Sequence, residues 1–371
     1  MSSHDTNANG AEGPCLWSSL LPELAERIAR CLHPNDVACG LRLINKASAA
    51  QFSGPQYTTI RLSQPVPHHA FAAHWLAPCA TRGLTLERRQ QLLYLTAASG
   101  VVANLDVALQ AAGCLATYEV FHAAAATGQL RCCHWLLEHG CPTEESDVGS
   151  GLLGAAAGGG HRLVCEWLLG LGLRWASDGA VDAARGGHVG LMEWLRQRRS
   201  PLPRSGADDQ SDGSEQALDK LDVVSGAAEG FDLPTLQRVV QQNGGLGSHD
   251  AGTRQDAGAV DEDEAAEAEA EGRSLVLAAA AGSPTPDWAA KVEWLEAQGC
   301  PRSARAAERA AARPDDADAA ARLAWLRDRG YPLGATAVEA AAGAGNTAAL
   351  HLLLGEAGVA EPPEGGHLAA F

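Results

Sequence analysis

The sequence predicts an all-α fold made of stacked helix pairs, and three recurring features of the 371-residue chain predict it. A Trp-Leu pair recurs through the middle and C-terminal parts, Ala-rich stretches precede several copies, and Gly residues mark fixed places within them. Self-similarity at a regular spacing is the signature of repeat architectures, in which each unit buries its apolar face against its neighbours. The recurring position holds Trp135, Trp167, Trp194, Trp294 and Trp325, with Leu352 in the last copy.

Each copy is interpreted as two short helices joined by a turn. The first helix is Ala-rich because it must lie close to helices of both neighbouring units. A Gly seven residues before the recurring position permits a sharp reversal with positive φ, and a second Gly ends the second helix. Val164, Trp167 and Leu168 have the spacing of one helical face, so we expect the recurring Trp residues in the core. The reversal glycines are Gly128, Gly160, Gly187 and Gly345, and weaker copies start at Gly100 and Gly230.

The second helix and the turn before it resemble the second half of the ankyrin repeat. The matching residues in one unit are Gly160, His161, Val164, Leu168, Leu169 and Gly172. The Thr-Pro-Leu-His start of that repeat is missing, and several units are shorter than its usual length. The resemblance implies an ankyrin-like helical solenoid of about eight helix-pair repeats across residues 91–360.

Ankyrin arrays bind proteins, so the resemblance implies a protein partner on the repeat face and on the turns between units. Trp175 lies outside the recurring position, and it is either an exposed interface anchor or a buried loop residue. The turn residues expected to contact a partner are Thr143, Glu144, Glu145, Arg174, Trp175, Ser177, Asp178, Arg302 and Ser303.

Two stretches interrupt the array and are expected to be disordered, because they hold too few apolar residues to offset the cost of ordering. Residues 200–217 are rich in Ser, Asp, Gly and Pro, and residues 242–272 end in the acidic run DEDEAAEAEAE. The acidic run is either a solvated insert or an electrostatic docking segment. Residues 55–90 are expected to connect the array to the N-terminal part, and residues 361–371 to form a tail.

The N-terminal part is expected to be disordered over residues 1–14 and helical over residues 15–54. Leu24, Ile28 and Leu32 share one face of a helix that starts near Pro22. Asn35 or Asp36 is a plausible N-cap for a second helix, which carries Val37, Leu41 and Ile44. This pattern indicates a compact pair of amphipathic helices ahead of the array.

Residues 16–52 resemble an F-box, the module by which the substrate-recognition subunits of cullin-based ubiquitin ligases bind a Skp-type adaptor. The spacing departs from that pattern by one residue in two places. The alternative is a stand-alone ankyrin-repeat scaffold, in which these helices are a structural cap on the array. The resemblance assigns adaptor contacts to Leu21, Pro22, Ile28, Leu32, Pro34 and Val37.

Composition and charge exclude several classes of function. The net charge of −17 argues against nucleic acid as a partner, because phosphate binding needs clustered Lys and Arg. The sequence holds no apolar run long enough to span a bilayer and no signal peptide, so membrane partners are not expected. Ten scattered Cys residues favour free thiols in a reducing compartment. We therefore expect a soluble protein of the cytoplasm or nucleus.

No motif predicts an enzyme, a cofactor or a metal site. The Cys and His residues of CCHWLLEHGC lack the paired spacing of zinc ligands, and they fall on positions that are apolar in other copies. The Gly-rich stretch GAAAGGGH lacks the Lys and the preceding strand of a phosphate-binding loop. His161 and His188 recur at one repeat position and are interpreted as structural.

Overall fold

The computed structural model describes residues 20–144, 151–173, 175, 177, 179–198, 212–246 and 262–356. These residues form helices and connecting turns without a β-strand, so the all-α prediction is confirmed. The chain divides into two compact units, residues 1–147 and 148–371. In the described ranges, each helix is too short or too polar to cross a membrane.

Nine helices lie in the described part of the first unit, with a short 3-10 turn at Leu41–Leu43 between the second and third. They are α1 Pro22–Cys31, α2 Pro34–Cys39, α3 Lys46–Gln51, α4 Pro55–Thr58, α5 His68–Trp75, α6 Leu86–Ala98, α7 Val102–Ala112, α8 Tyr118–Ala126 and α9 Leu130–Glu138.

Twelve helices lie in the described part of the second unit. They are α10 Leu152–Gly158, α11 Arg162–Gly170, α12 Ala180–Arg185, α13 Val189–Arg198, α14 Asp212–Gly230, α15 Leu233–Gln242, α16 Glu262–Gly282, α17 Trp288–Ala297, α18 Ala304–Ala311, α19 Asp316–Asp328, α20 Ala335–Ala344 and α21 Thr347–Glu356.

The N-terminal helices pack around a small core of their own. Val37 and Phe52 are almost fully buried, and the Tyr57 ring meets the Phe52 ring edge-on. The N-cap of α2 is His33 rather than Asn35 or Asp36, because Pro34 takes the first helical position. The second predicted helix ends early, at Cys39, so Leu41 and Ile44 lie beyond it.

The segment expected to be a connection, residues 55–90, is largely folded. It contains α4, α5 and the start of α6. Two buried amides hold it in place: Asn35 Nδ2 donates to the carbonyls of Arg61 and Pro65 at 2.9 Å, and Asn104 Nδ2 donates to Val66 O at 2.8 Å. The segment is folded because these side chains satisfy backbone groups that would otherwise be buried without partners.

From α6 onward, even-numbered helices are the first helices of the pairs and odd-numbered helices are the second helices. In the first unit, α6 packs against both α7 and the next even-numbered helix, α8. In the second unit, the even-numbered helices from α10 to α20 pack in series, each against the next. They lie close because their buried positions are mainly Ala, as with Ala183 and Ala184 in α12 and Ala306 and Ala307 in α18. The expected Ala-rich first helices are therefore present.

The reversal glycines adopt the left-handed conformation that their spacing predicts. Gly100, Gly128, Gly160, Gly187 and Gly345 all have φ between 74° and 83°. At Gly128, Gly160, Gly187 and Gly345 a Schellman motif closes the turn, as where Gly160 N–H donates to Ala157 O and His161 N–H donates to Ala156 O. At Gly100 the Gly N–H donates to Ala97 O. Gly230 departs from the pattern, because it is the last residue of α14 and its φ is not positive.

The recurring Trp residues do not lie in the core, so the prediction of core packing is wrong for them. Each is half-buried. In α11 the fully buried residues are Val164, Cys165 and Leu168, whereas Trp167 lies three positions after Val164. The core stripe of these helices uses positions i, i+1 and i+4, so a ring at i+3 lies at the edge of the stripe.

The two stretches expected to be disordered are partly helical. Helix α14 begins at Asp212 and α16 begins at Glu262, so residues 212–217 and 262–272 belong to helices. The prediction counted apolar residues and neglected that Ala and Glu favour helices, especially Glu near a helix N-terminus. Residues 1–14, 200–211, 247–261 and 361–371 lie outside the described residues.

Candidate protein-interaction site

The largest apolar side chains of α1 lie on its solvent side. Ala25 and Ala29 form the buried edge of the helix. Leu21 is 64% exposed, and the adjacent edge continues with Leu24, Ile28 and Leu32, each about 40% exposed. We call these four residues the α1 apolar surface. An exposed stripe of large side chains beside a buried stripe of small ones is typical of a face that binds another protein.

The residues assigned to adaptor contacts fall into two groups. Leu21, Pro22, Ile28, Leu32 and Pro34 are exposed. Val37 is fully buried in the core of the N-terminal helices, so its assignment as an adaptor contact is wrong. Val37 is buried because the first turn of α2 directs its side chain towards the core that contains Phe52.

Further apolar residues of the N-terminal helices are exposed. Leu24 was not among the residues assigned to adaptor contacts, but its helical spacing predicted that it shares a face with Ile28. Leu43 is 73% exposed and Ile44 is exposed beside it. The exposure of Leu43 and Ile44 is not predictable from helical spacing, because α2 ends at Cys39 and the two residues lie beyond it.

The turn residues that were predicted to contact a partner lie in both units, and three of them fall outside the described residues. In the first unit, Glu144 is exposed and Thr143 is half-buried. In the second unit, Trp175 is half-buried. Glu145, Arg174 and Asp178 lie outside the described residues.

Two of the predicted contacts have roles within the fold. Ser177 Oγ accepts from Gly179 N–H and donates to Asp182 Oδ2, both at 3.0 Å, so it shapes the turn before α12. Ser303 and Ser274 hydroxyls bond each other at 2.6 Å between α16 and the start of α18. These hydroxyls are therefore engaged in local structure.

Arg302 is exposed and belongs to a polar cluster on the second unit. Its Nε donates to Glu296 Oε1 at 3.0 Å, and its guanidinium lies 5.6 Å from the Tyr331 ring centroid. Tyr331 Oη donates to the same carboxylate oxygen at 2.7 Å. Burial and this bond raise the pKa of Tyr331, so the hydroxyl remains a donor.

The half-buried indoles lie beside cations and other rings. The guanidinium carbons of Arg162 and Arg198 lie 4.8 Å and 4.7 Å from the Trp194 ring centroid. Arg329 lies 4.3 Å from Trp325, whose ring meets Trp288 edge-on at 5.0 Å. Such contacts stabilise the outer surface of the second helices.

The three cysteines of CCHWLLEHGC, namely Cys132, Cys133 and Cys141, are buried. Burial raises the thiol pKa of Cys132 and Cys141 to about 11 and that of Cys133 to about 12. A metal ligand would be the thiolate, which burial disfavours. Within the described ranges, no three His, Cys, Asp or Glu side chains are grouped as metal ligands.

Lys291 is the most unusual residue of the second unit, because its side chain is fully buried. Its ammonium donates to Ala228 O at 2.6 Å, Phe231 O at 2.8 Å and Ser283 Oγ at 2.6 Å. Desolvation lowers the pKa of Lys291 to about 8. A Lys beside a Ser resembles a nucleophilic pair, but Ser283 is also fully buried, so no substrate reaches either group.

The described residues thus offer the α1 apolar surface and the Arg302 cluster as exposed contact regions, each within one unit. The first is apolar and the second is polar with a central carboxylate. In comparisons with protein-family models, curated proteins and solved structures, nothing matches this chain.

Proposed function

We propose that this chain is a non-enzymatic recognition subunit of a cullin-based ubiquitin ligase. In this proposal the helix pairs from α6 to α21 form an ankyrin-like array that binds the target protein. The N-terminal helices dock a Skp-type adaptor. The repeated Gly-closed helix pairs support the array, since each pair must bury its apolar face against a neighbour.

The observation that carries the adaptor proposal is the α1 apolar surface. A helix that served only as a cap would turn its largest side chains inwards, because burial of each stabilises by about 1.5–3 kcal/mol. In α1 the core receives Ala25 and Ala29, while Leu21 and Ile28 are left on the solvent side. That arrangement supports a second protein as the partner of these side chains.

The adaptor proposal is tested by capture of a purified Skp-type adaptor on the immobilised full-length chain. We expect Leu21→Asp together with Ile28→Asp to weaken capture at least a hundredfold, because two buried apolar contacts are replaced by charges. Leu163→Asp is the control, since Leu163 is at least as exposed as Leu21 and Ile28 but lies on α11. Capture that the double variant leaves unchanged would remove α1 from the interface.

A stand-alone scaffold is the second candidate, and one observation favours it. Asn35 and Asn104 tie α2 and α7 to the same segment, residues 61–66, so the N-terminal helices are joined to the helix pairs by buried hydrogen bonds. This candidate predicts no adaptor capture by the wild-type chain, together with loss of stability when residues 16–54 are deleted. Thermal unfolding of that deletion, read beside the capture assay, separates the two candidates.

A further inference from the structure

A shallow groove of about 450 Å³ lies between α6 and α8 in the first unit. Gln90, Gln91 and Tyr94 line it from α6, and Thr117 lines it from the start of α8. The groove is partly open to solvent, so a ligand bound there would keep one face exposed.

The lining offers donors and acceptors rather than apolar walls. An amide side chain both donates and accepts, and hydroxyls do the same. The Gln90 and Gln91 amides therefore match the alternating N–H and C=O groups of an extended peptide backbone, and the Thr117 hydroxyl can accept from a peptide N–H. An enclosed small-molecule site would instead have mainly apolar walls.

The groove carries a net negative charge. Glu87 and Glu119 line it with one cation, Arg88. The bond from the Thr117 hydroxyl holds the pKa of Glu119 below its ordinary value, so this carboxylate stays ionised. The net charge of −17 on the whole chain adds a long-range attraction for cations.

Two exposed leucines lie close in sequence to residues that line the groove. Leu86 is 61% exposed and lies one turn before Gln90 on α6. Leu115 is 87% exposed and lies in the turn two residues before Thr117. Each is therefore available to contact a chain that lies in the groove.

We infer that the groove between α6 and α8 binds an extended basic peptide segment of the target protein. The peptide backbone bonds the Gln and Thr side chains, its Lys or Arg residues approach Glu87 and Glu119, and its apolar residues cover Leu86 and Leu115. The inference rests on the proposed function of the helix pairs as the target-binding part, and it names the chemistry of the target.

The probe is a displayed library of random nonapeptides selected on the immobilised full-length chain. We expect the selected peptides to be rich in Lys or Arg and in Leu, Ile or Val. The best peptide, labelled with fluorescein, then gives an affinity by anisotropy that falls as NaCl is raised. Failure to enrich any peptide, or enrichment of acidic peptides, would overturn the inference.

Two double variants locate the site. Glu87→Gln with Glu119→Gln should weaken the selected peptide about tenfold and reduce its salt dependence. Leu86→Ser with Leu115→Ser should also weaken it about tenfold. Glu138→Gln and Leu163→Ser are exposed controls outside the groove and should leave affinity unchanged.

The same variants distinguish this inference from the proposed function. Both groove doubles should capture the Skp-type adaptor as the wild type does, because α1 is untouched. Peptide affinity that both doubles leave unchanged rejects the groove even when adaptor capture is intact. Loss of adaptor capture in the α1 variants, with peptide binding retained, supports two separate sites.

Discussion

The helix pairs of the second unit end their first helices in two ways. In α10, α12 and α20 a left-handed Gly follows the helix, and two backbone bonds close the turn. In α14, α16 and α18 that Gly is absent, and a side chain from the next helix pair bonds the last carbonyls instead. Lys291 serves α14, Arg322 serves α16 and Asn346 serves α18.

The difference shows two solutions to one requirement, namely that the final carbonyls of a buried helix need donors. A Gly-closed turn supplies these donors within its own pair. A turn without the Gly depends on its neighbour, and two of the three donors are cations, which the negative end of the helix dipole favours. Burial of Lys291 and Arg322 in an otherwise apolar stripe therefore has a structural explanation.

The largest effect is expected where the donor is a buried cation. Lys291→Met keeps the approximate volume but leaves Ala228 O and Phe231 O without their donor. We expect the free energy of unfolding to fall by about 3–5 kcal/mol, measured by urea denaturation followed by circular dichroism. Lys220→Met is the control, because Lys220 is exposed and should change stability by less than about 0.5 kcal/mol. Equal effects of the two substitutions would contradict the capping role.

A Gly-closed turn should be sensitive at the Gly itself. Gly160 has φ of 77°, and an added Cβ would lie 2.5 Å from His188 Cε1, so we expect Gly160→Ala to cost about 2–3 kcal/mol. Gly172→Ala should cost only about 1 kcal/mol, because φ is 69° but the space is open. Gly170, a helical residue with open space, is the control and should be neutral or slightly stabilised by Ala. The order of the three unfolding midpoints checks the prediction.

The burial of the donor should set the size of the effect among amide donors. Asn346 is 2% exposed and bonds Ala311 O at 2.8 Å and Arg313 O at 2.6 Å, so we expect Asn346→Ala to cost about 2 kcal/mol. Gln129 bonds Ala98 O at 3.2 Å in the first unit but is half-buried, and water can replace it. Gln129→Ala should therefore cost about 0.5 kcal/mol. If Gln129→Ala proves the more damaging, burial does not control these caps.

A pH-dependent change in stability is also expected at Lys291. The pKa of Lys291 falls from its ordinary value to about 8 in the folded chain, so between that pH and about 10.5 the unfolded state binds more protons. Stability of the wild type should then rise with pH relative to Lys291→Met, by up to about 1.4 kcal/mol per pH unit. Below pH 8 the difference should be flat. A difference that shrinks with rising pH would show that the three hydrogen bonds outweigh desolvation.

Several parts of the fold follow directly from the sequence. The positive φ of Gly160 and Gly187 was predictable, because a small-residue stretch followed by Gly at a fixed distance has few other structural uses. The all-α class followed from the same spacing. Periodicity places Ile28 on one helical face with Leu24 and Leu32, but periodicity alone cannot say which edge of an apolar sector meets the core.

Other parts depend on three-dimensional neighbours and were not predictable. Trp167 and Leu168 are equally apolar, so the sequence does not show that the first lies at the edge of the core. Lys291 stands where other copies have Cys132 or Val164, and only the nearby carbonyls of α14 explain it. The groove between α6 and α8 joins residues from two helices, and no single stretch of sequence indicates it.

The caps supplied by neighbouring pairs have a consequence for local opening. When α17 detaches, it removes the donors from the end of α14, and when α19 detaches it removes those from α16. Because Asn346 caps α18 in the same way, amide protons from α14 through α21 should exchange with solvent as one cooperative block, whereas α10 to α13 can open pair by pair. A partner that clamps α19 would in this way slow exchange as far back as α14.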